Sequence, residues 1–147
     1  MKRGGNAFDA AIAVNLALEI VYPNAGNIGG GGLMMARKSD GKLLALDYRE
    51  TAPSAANRNM FLDSSENVIP DLSINGHLSA GVPGTVAGLF AMHKWAKLPF
   101  AVLIQPAIDL ALHGYTVTES EANSLNENKA DFIKYSTGPT ALASCAT

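Results

Sequence analysis

A tetrapeptide with three charged side chains, residues 47–50 (DYRE), follows directly on the apolar run of residues 43–46 (LLAL). If the chain stays extended there, Asp47 and Arg49 share one face of the strand. An arginine that emerges from an apolar strand needs a negative partner, because an unpaired charge away from water is costly. Two partners fit: a neighbouring acid, Asp47 or Glu50, or a ligand carboxylate gripped by two parallel hydrogen bonds. Spacing alone favours the neighbouring acid.

Four consecutive glycines, residues 29–32, raise the question of phosphate binding. In a phosphate-binding loop a strand leads into the glycines and a helix follows, so that the helix N–H groups face the anion. Here a helical pattern precedes the glycines and an apolar, strand-like run follows them. We therefore interpret the run sterically, because glycine permits positive φ and the close approach of another backbone.

Other kinds of catalytic or metal chemistry find little support in the sequence. The three histidines, His77, His93 and His113, are too far apart for a local metal motif, and no cysteine cluster accompanies them. The single cysteine, Cys145, has no identifiable activating neighbour. The Gly-x-Ser-x-Gly elbow of many serine hydrolases does not occur. The sequence thus predicts no metal, no cofactor and no catalytic residue in this chain.

The first element that must position any site is a helix, which the sequence predicts over residues 7–21. Asn6 is a good N-cap, and Asp9 favours the first turn with its negative charge. At helical spacing, Asp9, Asn15 and Glu19 form a thin polar stripe. We expect the remaining apolar surface of this helix to be buried.

Two apolar runs, residues 33–37 and 43–46, flank a turn signal and predict a hairpin of two strands. Because neither run alternates cleanly, we expect a sheet covered on both faces. Residues 51–80 look irregular, and a loop of that length often covers a functional site. Further helices are predicted over residues 85 to about 95, 99 to about 113, and 118 to about 134, the last capped by Thr118 with Glu121 at the capping-box position.

Composition narrows the class of protein. The chain has 147 residues, of which 48% are apolar and 16% charged, with a net charge of −2. These values fit one packed domain rather than a disordered tail. Without a cluster of Lys or Arg, the sequence predicts no nucleic-acid or anionic-membrane surface. No apolar run reaches the roughly 18 residues that a membrane span needs.

Four sequence motifs occur in an order that resembles a known family. They are residues 4–11 (GGNAFDAA), 23–32 (PNAGNIGGGG), 47–53 (DYRETAP) and 81–88 (GVPGTVAG). Together they resemble the large-subunit portion of gamma-glutamyltransferases, also called gamma-glutamyltranspeptidases or glutathione hydrolases. We therefore predict a partial large-subunit domain over residues 1–135 and leave residues 136–147 as an unassigned tail.

The resemblance implies a fold and a reaction. The fold is α+β, an N-terminal-nucleophile (Ntn) hydrolase αββα sandwich of which this chain is a part. A precursor cuts itself into two subunits, and the N-terminal Thr of the small subunit attacks the gamma-glutamyl carbonyl of substrates such as glutathione. The acyl group then passes to water or to an amino acid or peptide. By motif match, the arginine that binds the substrate α-carboxylate is Arg49. Relatives suggest a periplasmic or extracellular location, which this sequence leaves unknown.

The resemblance also sets limits on what the chain does alone. The processing site, the nucleophilic Thr and the oxyanion hole belong to a part of the family pattern that this sequence does not match. We therefore expect no turnover by this polypeptide without a small subunit. Two alternatives stay open: a related acylase, such as a cephalosporin acylase or a poly-gamma-glutamate-processing enzyme, and a non-catalytic remnant or binding module that self-associates through unpaired strand edges.

Overall fold

The computed structural model describes residues 2–26, 28–136 and 138 of the chain. These residues form five α-helices, one short 3₁₀ helix and two strands. In chain order they are α1 (Ala7–Val21), β1 (Leu33–Arg37), β2 (Leu43–Asp47), the 3₁₀ helix (His77–Ser79), α2 (Thr85–His93), α3 (Phe100–His113), α4 (Glu119–Glu127) and α5 (Lys129–Tyr135).

The described residues fall into two compact units. The first unit comprises residues up to 53 together with 81–115, and the second comprises residues 54–80 together with those from 116 onwards. The boundary that we predicted at residue 135 stays a prediction. Most of the predicted tail, including Cys145, lies outside the described residues.

The core of the first unit is built where three helices meet. α1 packs chiefly against α3 and also against α2. Each helix contributes apolar residues spaced three or four apart, which places them on one face. The buried cluster consists of Ile12, Leu16, Leu89, Met92, Leu103 and Ala107. Helices α1, α2 and α3 confirm the three predicted helices of this unit, with ends that differ by one or two residues.

The prediction that the whole apolar surface of α1 is buried is wrong for part of the helix, although Ile12 and Leu16 are buried. Asp9, which belongs to the predicted polar stripe, is only 2% exposed, whereas the apolar Val14 and Leu18 on the opposite side are exposed. The reason is that backbone N–H groups of Asn6, Lys97 and Leu98 donate to the Asp9 carboxylate. A carboxylate can be buried when such donors replace its water shell.

The hairpin is confirmed, but its predicted burial on both faces is wrong. β1 pairs antiparallel with β2, from Leu33 opposite Asp47 to Arg37 opposite Leu43. The two strands alternate, so that Met34 and Leu46 pack against the core while the other face is open. Large exposed apolar side chains on that outer face are Leu33, Met35 and Leu43.

The second unit contains the long irregular segment that the sequence predicts. Apart from the 3₁₀ helix, residues 54–80 contain no helix or regular strand. A turn is organised by Asp63, whose carboxylate accepts hydrogen bonds from the N–H groups of Ser65 and Asn67. These backbone hydrogen bonds lower the pKa of Asp63.

The single helix predicted from residue 118 to about 134 is wrong, because the structure divides it into α4 and α5. The division lies at Asn128, where φ is −94° and ψ is 2°. The Asn128 side chain donates to the carbonyl of Ser124 at 2.8 Å, which offers the backbone an alternative to helix continuation. The cap is as predicted, since the Thr118 hydroxyl accepts from the N–H of Glu121.

Candidate functional site

Arg49 lies just beyond the end of β2. The pairing of the hairpin continues for one more residue, since the N–H of Tyr48 donates to the carbonyl of Gly32 at 2.9 Å. Beyond Arg49, Thr51 forms an antiparallel bridge with Val82. The backbone that carries Arg49 is therefore fixed on both sides by hydrogen bonds to other segments.

The side chain of Arg49 is exposed to solvent, whereas the sequence predicts that it is shielded from water. The strand ends before Arg49, and the side chain is 67% exposed rather than buried. Its ion-pair partner is Glu50, with Nε 3.4 Å from Oε2, whereas Asp47 accepts from the backbone N–H of Arg49. An exposed pair of this kind contributes little to stability.

The exposed ion pair leaves most of the Arg49 guanidinium available. Within the described part of the chain, its contact with Glu50 is the only ion pair that Arg49 makes. A guanidinium has five N–H donors in a planar fork that matches a carboxylate. Arg49 can therefore take a ligand carboxylate by exchanging one weak, solvated contact for two parallel hydrogen bonds.

A cavity of about 320 Å³ lies between the end of the hairpin and the start of α2, and Arg49 lines it. Glu50 lines a second cavity of about 330 Å³, together with Asn15 and Thr85. Tyr48 lines both cavities. Each volume lies at the lower end of the range for small-molecule sites. Arg49 and Glu50 thus form an ion pair with each other while each lines a different cavity, and Tyr48 lines both cavities.

The glycine run does not bind phosphate through a following helix, because a carbonyl already occupies the nearest helix start. The carbonyl of Gly30 accepts from the N–H groups of Gly84 and Thr85, at 2.9 and 3.0 Å. These N–H groups lie at the first turn of α2, where a phosphate would otherwise accept hydrogen bonds. The run is instead a segment that packs closely on its neighbours.

The steric interpretation of the run is confirmed by its contacts with Tyr48. A Cβ atom at Gly31 would lie 2.5 Å from the Tyr48 carbonyl oxygen, and one at Gly32 would lie 2.9 Å from the Tyr48 hydroxyl. Gly84 and Gly88 also pack on Tyr48, which no sequence pattern indicated. A Cβ atom at Gly84 would lie 2.0 Å from the Tyr48 carbonyl oxygen, and one at Gly88 would lie 2.3 Å from the Tyr48 Cγ. We call these four residues the glycine socket.

Two of the three histidines, His93 and His113, form hydrogen bonds with backbone carbonyl groups. His93 Nε2 lies 2.8 Å from the carbonyl oxygen of Leu98, and His113 Nδ1 lies 2.9 Å from that of Asp109. Among the described residues, no group of three or more His, Cys, Asp or Glu side chains could hold a metal ion. The sequence-based prediction for Cys145 lies outside the described residues.

Two acidic side chains of α1 have opposite environments. Burial raises the pKa of Asp9, but hydrogen bonds from the N–H groups of Asn6, Leu98 and Lys97 outweigh it, so the pKa lies below its ordinary value of 3.8. Glu19 has a buried Oε1 without a hydrogen-bond partner in the described structure, and burial raises its pKa. Asp9 is therefore held as a carboxylate, whereas Glu19 favours its neutral form more than an exposed glutamate does.

Comparison with known proteins identifies the family. The model of the gamma-glutamyltranspeptidase family matches residues 1–144, and the chain belongs to this family. It is 48% identical over 135 residues to the glutathione hydrolase proenzyme of Pseudomonas sp. (strain A14), covering 91% of this chain and 24% of that protein. The chain thus spans about a quarter of the length of this relative.

Solved structures show the same fold. The chain superposes on the crystal structure of Helicobacter pylori gamma-glutamyltranspeptidase with a TM-score of 0.88 and 50% identity, covering 92% of this chain and 39% of that one. The cephalosporin acylase of Bacillus halodurans is less similar, with a TM-score of 0.76, 28% identity, and 93% and 25% coverage. The predicted α+β class is confirmed: the chain is part of an Ntn-hydrolase fold.

None of the described helices is both long and apolar enough to cross a membrane.

Proposed function

We propose that this chain belongs to the large subunit of a gamma-glutamyltransferase and that Arg49 binds the α-carboxylate of the gamma-glutamyl donor, such as glutathione. The observation that carries this proposal is the Arg49 side chain, which is largely exposed at the edge of a cavity and, among the described residues, forms one ion pair, with Glu50. The donor carboxylate displaces Glu50 because a bidentate pair with the guanidinium fork is stronger than the single long contact.

The nucleophile comes from a partner in this proposal. A small subunit of the same precursor supplies an N-terminal Thr, whose hydroxyl attacks the gamma-glutamyl carbonyl while its α-amine takes the proton. The amide nitrogen leaves as an amine, and water or an acceptor amine then releases the glutamyl group. Arg49 holds the far end of the donor during both steps, and no metal or cofactor is required.

The test is the substitution Arg49→Lys in the complete gene product that carries this chain. We expect kcat/KM for L-gamma-glutamyl-4-nitroanilide to fall by about 10- to 100-fold, because losing a charged hydrogen bond costs roughly 1.5–3 kcal/mol. Arg37→Lys, at the opposite end of the hairpin, is the matched control and should leave kcat/KM unchanged. An unchanged kcat/KM in Arg49→Lys would remove Arg49 from the site.

The isolated chain gives a second test. We expect the pure 147-residue polypeptide to show no turnover of glutathione or of gamma-glutamyl amides, because the proposal places the nucleophile on the small subunit. Robust turnover that Arg49→Ala abolishes would contradict this division of roles.

A second candidate function is a non-catalytic module that pairs with other chains. It is favoured by the open outer face of the hairpin, where Leu33, Met35 and Leu43 are exposed. Apolar strand surfaces with unpaired edges promote association. Sedimentation of the pure chain distinguishes the cases: self-association that Met35→Lys abolishes supports this candidate, and a cooperatively folding monomer counts against it.

A further inference from the structure

The residue before Arg49 is held more tightly than Arg49 itself. Tyr48 packs against the hydrophobic core of the first unit. Its backbone exchanges two hydrogen bonds with Gly32, at 2.9 and 3.3 Å. Arg49, in contrast, has an exposed side chain that pairs with Glu50. The direction in which the Arg49 side chain leaves the backbone is therefore set by Tyr48.

The fit of Tyr48 depends on the absence of Cβ atoms on two sides. A Cβ at Gly88 would lie 2.3 Å from Cγ and 2.5 Å from Cδ2 of the ring, and one at Gly32 would lie 2.9 Å from the hydroxyl. Distances below about 3 Å require something to move. Since Gly88 belongs to α2, which also contributes to the buried core, the ring and its attached backbone would have to shift instead.

The carbonyl of Tyr48 is enclosed in the same way. Gly84 and Gly31 approach this carbonyl so closely that a Cβ on either would lie within 2.5 Å of its oxygen. The carbonyl is part of the peptide bond that joins Tyr48 to Arg49, and that bond is planar. Fixing the Tyr48 carbonyl therefore also fixes the N–H of Arg49, which donates to Asp47 Oδ1 at 3.0 Å.

From these contacts we infer that Tyr48 is a positioning residue for the carboxylate site: its ring and carbonyl, seated in the glycine socket, hold the backbone from which Arg49 reaches the ligand. The inference rests on the proposed function of Arg49. According to this inference, the glycines that pack on Tyr48 contribute to ligand recognition indirectly, by holding Tyr48 in place. A long side chain on a fixed backbone loses less conformational entropy on ligand binding than the same side chain on a mobile backbone.

The experiment compares two substrates that differ only in the group that Arg49 binds. One is L-gamma-glutamyl-4-nitroanilide, and the other is 4-aminobutyryl-4-nitroanilide, the same amide without the α-carboxylate. The ratio of their kcat/KM values in the complete gene product measures recognition of the carboxylate. General damage to folding lowers both values together and leaves the ratio unchanged, whereas a misplaced Arg49 lowers the ratio.

We expect Gly88→Ala and Tyr48→Ala to lower this ratio by about tenfold or more, since a misplacement of about 1 Å can cost on the order of 100-fold. Tyr48→Phe keeps the ring and should keep the ratio near the wild-type value. Gly138→Ala is the matched control, because a Cβ there lies within 4 Å of no atom in the described part of the chain. If Tyr48→Ala fails to fold, Tyr48→Leu replaces it, with a smaller side chain in the same socket.

Two results would overturn the inference, and they can be told apart. If Arg49→Ala lowers the ratio but the Gly88 and Tyr48 variants do not, the glycine socket contributes only to stability and the proposed function stands. If Arg49→Ala itself leaves the ratio unchanged, the proposed function fails, and the positioning role fails with it.

Discussion

The buried carboxylate of Asp9 joins the start of α1 to the connection between α2 and α3, and removing it should destabilise the first unit markedly. Asp9 is 2% exposed and accepts from three backbone N–H groups. The donors are Asn6 at 2.6 Å, Leu98 at 2.8 Å, and Lys97 at 3.1 Å from both oxygens. The substitution Asp9→Ala leaves all three without this acceptor.

The expected loss follows from these contacts. A buried donor left without an acceptor costs about 1–3 kcal/mol, so three donors at the lower value give about 3 kcal/mol. Domains of this kind are stable by only about 5–15 kcal/mol, so the loss is a large fraction of the total. The side chain of Asn6 still caps α1 through the N–H of Phe8, which limits fraying of the helix.

Urea unfolding of the chain, followed by circular dichroism, measures the loss. Asp109→Ala is the matched control, because Asp109 is exposed on α3. Among the described residues, its carboxylate accepts one hydrogen bond, from the side chain of Gln105. This substitution should change stability by no more than about 0.5 kcal/mol. A loss below about 1 kcal/mol for Asp9→Ala would refute the argument that these three amides depend on the carboxylate.

The pH dependence of this loss provides an internal check. The pKa of Asp9 is lower in the folded chain than its ordinary value of 3.8, so the folded state favours the charged carboxylate. The contribution is therefore complete well above pH 3.8 and is lost as the pH falls through the lowered pKa. The difference in unfolding free energy between wild type and Asp9→Ala should be equal at pH 7 and pH 5.5 and should shrink below pH 3.8.

Three further substitutions test separate contacts. Glu19→Gln should stabilise the chain at pH 7, because burial raises the pKa of Glu19 and so disfavours its charged form. Thermal unfolding should show this gain disappearing as the pH falls through that raised pKa toward 4.5. Gly84→Ala, whose Cβ would meet the Tyr48 carbonyl, should cost about 2–3 kcal/mol in urea unfolding, and a neutral result would contradict the packing. Thr118→Ala should cost only about 0.5 kcal/mol, since its bond to the Glu121 N–H is long and exposed, and a loss above 2 kcal/mol would show a larger role.

Local sequence patterns were sufficient to predict the elements that depend on neighbours in sequence. The helix α1 begins at its capping box, and the hairpin follows from two apolar runs around a turn whose Gly41 has a φ of 84°. The division at Asn128 was missed because one asparagine decides between continuing a helix and bonding to its own preceding turn.

The features that depend on distant segments were not predictable. Two of the three backbone donors to the buried Asp9 carboxylate lie 88 and 89 residues further along the chain, where no local pattern could reveal them. The glycine socket combines two residues before β1 with the N-cap of α2 and one residue inside α2. The sequence does not show that these segments lie close to Tyr48. For Arg49, the sequence offered Glu50 as one of two neighbouring acids and the structure selects it, whereas the exposure of the Arg49 side chain came only from the structure.

The central claim is that this chain acts within a two-subunit gamma-glutamyltransferase, and intact-mass measurement of the gene product purified from its own source tests it most directly. The account predicts two tightly associated polypeptides, of which the larger contains this chain and the smaller begins with Thr. A single polypeptide near the 15.4 kDa of this chain, without an associated partner, would contradict the account.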